Sequence, residues 1–64
     1  MTISYFEGVM QAGIKRMISG IAYRETKWYS RKREAQQTAI YAREQGYKAR
    51  VIEKDGGYIV AVRR

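Results

Sequence analysis

Cysteine, histidine and proline are all absent from this chain. Without thiols there is no disulfide staple, no thiolate nucleophile and no iron–sulfur or redox role. Without imidazole the commonest acid–base group and the commonest metal ligand are missing too. The six Asp and Glu residues lie singly along the chain, so neither an acid–base pair nor a metal cluster is legible. A chain of 64 residues also has little room for an enclosed pocket, which typically occupies roughly 300–1,000 Å³. A non-enzymatic protein needing no cofactor and no metal is expected. Long apolar runs are lacking as well. Met1 to Gly20 carries Glu7, Lys15 and Arg16 among its apolar residues, which fits neither a signal peptide nor a membrane span. A cytoplasmic setting is the default expectation. With no proline there is no obvious hinge, and a single domain over 1–64 is expected.

What the chain does have is positive charge. Thirteen Lys and Arg against six Asp and Glu give a net charge of +7, and polyanions are the natural partners of such a surplus. The plainer alternative is that the charge only keeps a small protein in solution. A chain this short buries only about 60% of its unfolded surface. With disulfides and metals excluded, self-association as a homodimer is the remaining means of support.

Phe6, Val9, Met10, Ile14, Met17, Ile18 and Ile21 follow the spacing of one helical stripe, which predicts a helix over about 4–19 that Gly20 stops. Glu7 near its start and Lys15 and Arg16 near its end suit the helix dipole. Gly8 and Gly13 count against it, each costing about 1 kcal/mol relative to alanine. The run IAYRETKWY predicts a strand over about 21–29 with one wet face. Ser30 is then placed to cap a second helix over about 31–45, with a narrow face of Ala35, Thr38, Ala39 and Ala42. Gly46 sits where a left-handed C-terminal cap is wanted.

Two alternating runs follow, predicting strands over about 47–53 and 58–63 around Asp55-Gly56, a strong type I′ hairpin signal. Counting outward from that turn pairs Glu53 with Tyr58 and continues to Lys48 with Arg63. One face receives Tyr47, Ala49, Val51, Tyr58, Val60 and Val62, and the other Lys48, Arg50, Ile52, Ile59, Ala61 and Arg63. The expected fold is a small α+β domain of order α-β-α-β-β. Its three-stranded sheet, ending in the hairpin, packs against two helices, with a right-handed crossover making the first strand parallel to a later one.

Three features carry candidate chemistry. The first is the junction Lys27-Trp28-Tyr29-Ser30-Arg31-Lys32-Arg33, where two large rings precede a basic cluster at a helix start. Arg31, Lys32 and Arg33 would meet phosphates while Trp28 or Tyr29 stacks on a base; the competing reading makes Trp28 the centre of a small core. The second is the wet face of the hairpin, where Lys48 lies opposite Arg63, Arg50 is one pair further in and Arg64 follows. Like charges across a ladder are unfavourable until an anion bridges them, although solvation of long side chains accounts for the same residues. Binding of DNA or RNA through phosphate contacts is therefore the leading expectation. The third feature is the apolar set Ile52, Ile59 and Ala61 on that face, an expected oligomer interface. It supports the alternative of a protein-interaction module or small homo-oligomer, an acidic protein surface being one candidate partner. A membrane-surface role for the first helix is disfavoured, because so small a chain needs that stripe as core.

From Tyr23 to Arg64 the succession of strand, KREA helix, GYKARV strand and GGYIVAV strand is similar to the first half of SPOR domains, which bind bacterial cell-wall glycan. The second helix and strand of that family have no counterpart, a helix precedes instead, and no residue role is carried over.

Overall fold

The computed structural model describes residues 4–64. Its elements are α1 (Tyr5–Ala12), β1 (Lys15–Ile18), β2 (Ile21–Tyr29), α2 (Lys32–Glu44), β3 (Lys48–Lys54) and β4 (Gly57–Arg63). The fold is α+β, but the sheet has four strands, not three, in the antiparallel order β1-β2-β4-β3.

The extra strand comes from the expected first helix, which ends at Ala12 instead of near Ser19. Ser4 caps its start, its hydroxyl accepting from the Glu7 N–H at 3.2 Å. At its end the Gly13 N–H donates to Val9 O, and a Cβ at Gly13 would lie 2.5 Å from that same oxygen. Lys15–Ile18 then pairs with Ile21–Arg24 through a two-residue turn in which Ser19 and Gly20 have φ of 52° and 79°. Positive φ at both central positions is what a type I′ hairpin requires. Gly20 therefore turns a hairpin and does not stop a helix.

The C-terminal hairpin forms in the expected register, Lys48↔Arg63 through Glu53↔Tyr58, extended by Lys54↔Gly57. Asp55 and Gly56 supply the turn with φ of 52° and 77°. β2 and β3 do run in the same direction, as the expected crossover demands, but they do not pair: β4 lies between them. α2 begins one residue later than expected, with Arg31 as N-cap in place of Ser30 and no side chain accepting from the first turn. Its far end closes as the sequence indicates. Gly46 has φ of 93°, its N–H donates to Arg43 O, and the Tyr47 N–H donates to Ala42 O, a Schellman cap.

Both helices lie on one face of the sheet. Phe6 and Val9 of α1 and Ala35, Ala39 and Ala42 of α2 form the core with Ala49, Val60 and Val62, and Tyr29, Tyr47, Val51 and Tyr58 pack around it. The alanines let α2 approach β3 and β4 closely. Phe6 joins the two helices to the start of β3, its ring 5.5 Å from that of Tyr41 and 5.7 Å from that of Tyr47. Among the described residues no helix is long and apolar enough to cross a membrane.

Candidate functional site

The sheet face turned away from the helices is where most of the candidate residues converge. Period-two alternation sends Lys48, Arg50, Ile52 and Lys54 of β3 and Gly57, Ile59, Ala61 and Arg63 of β4 to that side. β2 contributes Tyr23, Glu25 and Trp28. Strict alternation would put Glu25 and Trp28 on opposite faces, but the register slips between them, with Glu25 opposite Ala61 and Trp28 opposite Ile59. This β-bulge inserts one residue and reverses the parity of the strand. β1 adds Arg16, which pairs with Tyr23, so that Arg16, Tyr23, Arg63 and Lys48 form a line across the sheet.

Charge on this face is one-sided. Arg16, Lys48, Arg50, Lys54 and Arg63 share it with a single strand carboxylate, Glu25; Asp55 stands in the β3–β4 turn at the Trp28 end. Glu25 is engaged twice: Arg16 Nη1 lies 2.9 Å from one oxygen and Lys54 Nζ 3.4 Å from the other. Among the described residues no carboxylate lies within ion-pairing distance of Lys48, Arg50 or Arg63. The Arg63 guanidinium sits 5.6 Å from the centre of the Tyr23 ring and gives one donor to Arg64 O at 3.0 Å, while its Nε has no acceptor among the described residues. The phenol of Tyr23 is held below the ordinary tyrosine range, chiefly by the Arg63 guanidinium as hydrogen-bond donor; burial pushes the other way and the Arg50 charge assists.

At the other end of the same face lies Trp28. It is not the centre of the core: its ring lies over Gly57 of β4 and the residue is 45% exposed. The indole N–H donates to Lys54 O at 2.9 Å, and a Cβ at Gly57 would collide with indole carbons Cε2 and Cζ2. Glycine at 57 therefore makes the seat for the ring. Beside it opens a shallow cleft of about 340 Å³ lined by Glu25, Thr26, Trp28, Lys54, Asp55 and Ile59.

The remaining expected site residues fall elsewhere. Tyr29 turns to the helix side, where its hydroxyl accepts from Thr38 Oγ1 at 2.8 Å and its ring packs on the core. Arg31, Lys32 and Arg33 are exposed at the start of α2, in the helix layer, so the junction that looks continuous in sequence is divided between two sides of the sheet. Arg64 borders a cleft with Glu7, Gln45, Gly46 and Tyr47. Ile52, Ile59 and Ala61 do share the open face, but Ile59 is 3% and Ala61 0% exposed, flanked by Trp28, Glu25, Arg50 and Ile52. Only Ile52 retains partial exposure. Arg16, Tyr23, Glu25 and Lys54 were not among the expected site residues. The first three depend on β1 and on the pairing of β2 with β4, while the outward count from the Asp55-Gly56 turn already places Lys54 opposite Gly57.

The chain matches no protein-family model, no curated protein and no solved structure.

Proposed function

We propose that this protein is a small nucleic-acid-binding module, acting without catalysis, whose contact surface is the helix-free face of its sheet. The observation that carries this reading is the set of five cations, Arg16, Lys48, Arg50, Lys54 and Arg63, sharing that face with one strand carboxylate that is already paired. Phosphates would meet Lys48, Arg50 and Arg63, where mutual repulsion is relieved by an anion. Arg31, Lys32 and Arg33 extend the positive field at the rim. A mobility-shift titration with random-sequence oligonucleotides at increasing salt tests it. Affinity should fall linearly on a double-logarithmic plot, by roughly 0.7 to 0.9 log units per neutralised phosphate for each tenfold rise in salt. Absence of binding at low salt overturns the reading.

A second reading, self-association, is favoured by the β1–β2 hairpin. Met17 and Ile21 are exposed there, Ile14 precedes it exposed, and β1 is an edge strand. Sedimentation of the pure protein, with and without Met17→Lys, tests it: a dimer abolished by the substitution supports this reading, and a monomer at high concentration removes it.

A further inference from the structure

We infer that the nucleic acid taken by this face is single-stranded, with one base stacked on the Trp28 indole. This rests on the nucleic-acid reading above and adds the class of strand.

The indole is fixed before any ligand arrives. Its Nε1 is tied to Lys54 O at 2.9 Å and its ring is seated over Gly57, yet nearly half the residue's surface is open. An exposed apolar ring ordinarily reduces its own exposure by folding onto a neighbour; here the Nε1–Cε2–Cζ2 edge is held against Lys54 O and Gly57 while the rest of the residue leaves indole surface open to solvent. Such a plane accepts the face of a base, at a gain of about 1–3 kcal/mol per stacked base. In a duplex every internal base face is covered by its neighbours, so only an unpaired base can make this contact.

The cleft beside the ring suits the edge of such a base. Lys54 offers an ammonium donor there and Asp55, in the turn, lines the rim, while the Thr26 hydroxyl at the same cleft is buried without a partner among the described residues; Glu25 is already held by Arg16 and Lys54. Beyond the cleft the strand direction leads from Ile59, opposite Trp28, to Arg63. Counted along the strands from Gly57, where the ring is seated, four residues at about 3.4 Å each place Arg50 roughly 14 Å away and six place Arg63 and Lys48 roughly 20 Å away. A few nucleotides bridge that interval. Width argues the same way. Three interstrand steps of about 4.8 Å separate β1 from β3 by roughly 14 Å before side chains are added, more than the ~12 Å major groove of B-DNA accepts.

Trp28 is the only tryptophan, so its emission reports this contact directly. The intact protein is titrated at low salt with short oligothymidylate, short oligouridylate, a blunt duplex of equal phosphate number, and inorganic polyphosphate. Quenching of Trp28 by either oligonucleotide, with much weaker quenching by duplex and polyphosphate, is the expected result, and the two oligonucleotide arms tell DNA from RNA. In a labelled-oligonucleotide anisotropy assay Trp28→Leu weakens binding about tenfold or more, whereas Trp28→Phe, which keeps a ring, retains most of the affinity. If Trp28→Leu does not fold, the quench in the unsubstituted protein decides. Binding of single strand and duplex alike with unchanged emission overturns this inference and leaves the nucleic-acid reading standing. Failure to bind any of the four at low salt overturns both.

Discussion

On the helix-covered face, Val60 and Val62 are sealed by the alanines of α2 and by Phe6 and Val9 of α1. On the opposite face, Ile59 and Ala61 of the same strand are equally buried, but between side chains of the sheet itself: Trp28, Glu25, Arg50 and Ile52. The first arrangement excludes water with whole elements, and its contribution to stability comes from apolar area and close packing. The second excludes water from a narrow strip with long polar or aromatic side chains whose ends stay wet. A chain too small to wrap a sheet on both sides can thus keep a central strand dry and still present charge and a π surface to solvent.

The contrast breaks most visibly at Phe6. Phe6→Ala removes a ring that joins both helices to the start of β3 and should cost about 3–5 kcal/mol, read as a lowered urea midpoint. On the open face the largest effect is expected at Gly57. A Cβ there meets the indole and also Tyr29 O at 2.6 Å, which is backbone and cannot swing aside. Gly57→Ala should cost about 1–3 kcal/mol and move the emission of Trp28 as the ring leaves its seat. Glu25→Gln gives a smaller change. It removes two ion pairs whose cations are 33% and 41% exposed, at about 1 kcal/mol or less, while oligonucleotide affinity rises because the one carboxylate that the strands place on the face is gone.

The smallest effect concerns Tyr23. Its depressed pKa means that, as pH rises from that value toward the ordinary tyrosine range near 10, the unfolded chain holds a proton that the native chain has released. Tyr23 therefore adds stability progressively across that window, in full above the ordinary tyrosine value, and the contribution is lost as pH falls through the depressed pKa. Tyr23→Phe should lack this pH-dependent increment in denaturation experiments. In Arg63→Ala the phenol should titrate closer to its ordinary value by ultraviolet difference absorbance.

These same regions mark how far the sequence could be read. β3, β4 and α2 were legible because their signals are local: Asp55-Gly56 sets the hairpin register, Gly46 ends the helix, and alternation sorts the two faces. β1 was not, because Met17, Ile18 and Ile21 continue the helical spacing of the residues before them, and a strand of four residues is too short for alternation to compete. What separates the two is the Ser19-Gly20 turn, in which a non-glycine residue adopts positive φ. The division of the candidate site had a different origin. A bulge between Glu25 and Trp28 exists only because β2 pairs with β4 across more than thirty positions of chain, and no pattern within β2 announces it. That slip carries Trp28 to the open face, across the sheet from the cations of α2, and turns Tyr29 into the core on the helix side.

The assignment of binding to the open face is tested most directly by comparing two sets of substitutions in one assay. Oligonucleotide affinity is measured across salt for the unsubstituted protein, for Lys48→Ala/Arg50→Ala, and for Arg31→Ala/Lys32→Ala/Arg33→Ala. All five residues are exposed, so folding should survive in both variants, and circular dichroism checks that it does. The open-face pair should bind more weakly than the triple variant despite removing fewer charges, and should flatten the single-strand salt slope by roughly 0.7 for each phosphate that is no longer neutralised. Weaker binding by the triple variant, or an unchanged salt slope in the pair, would contradict it.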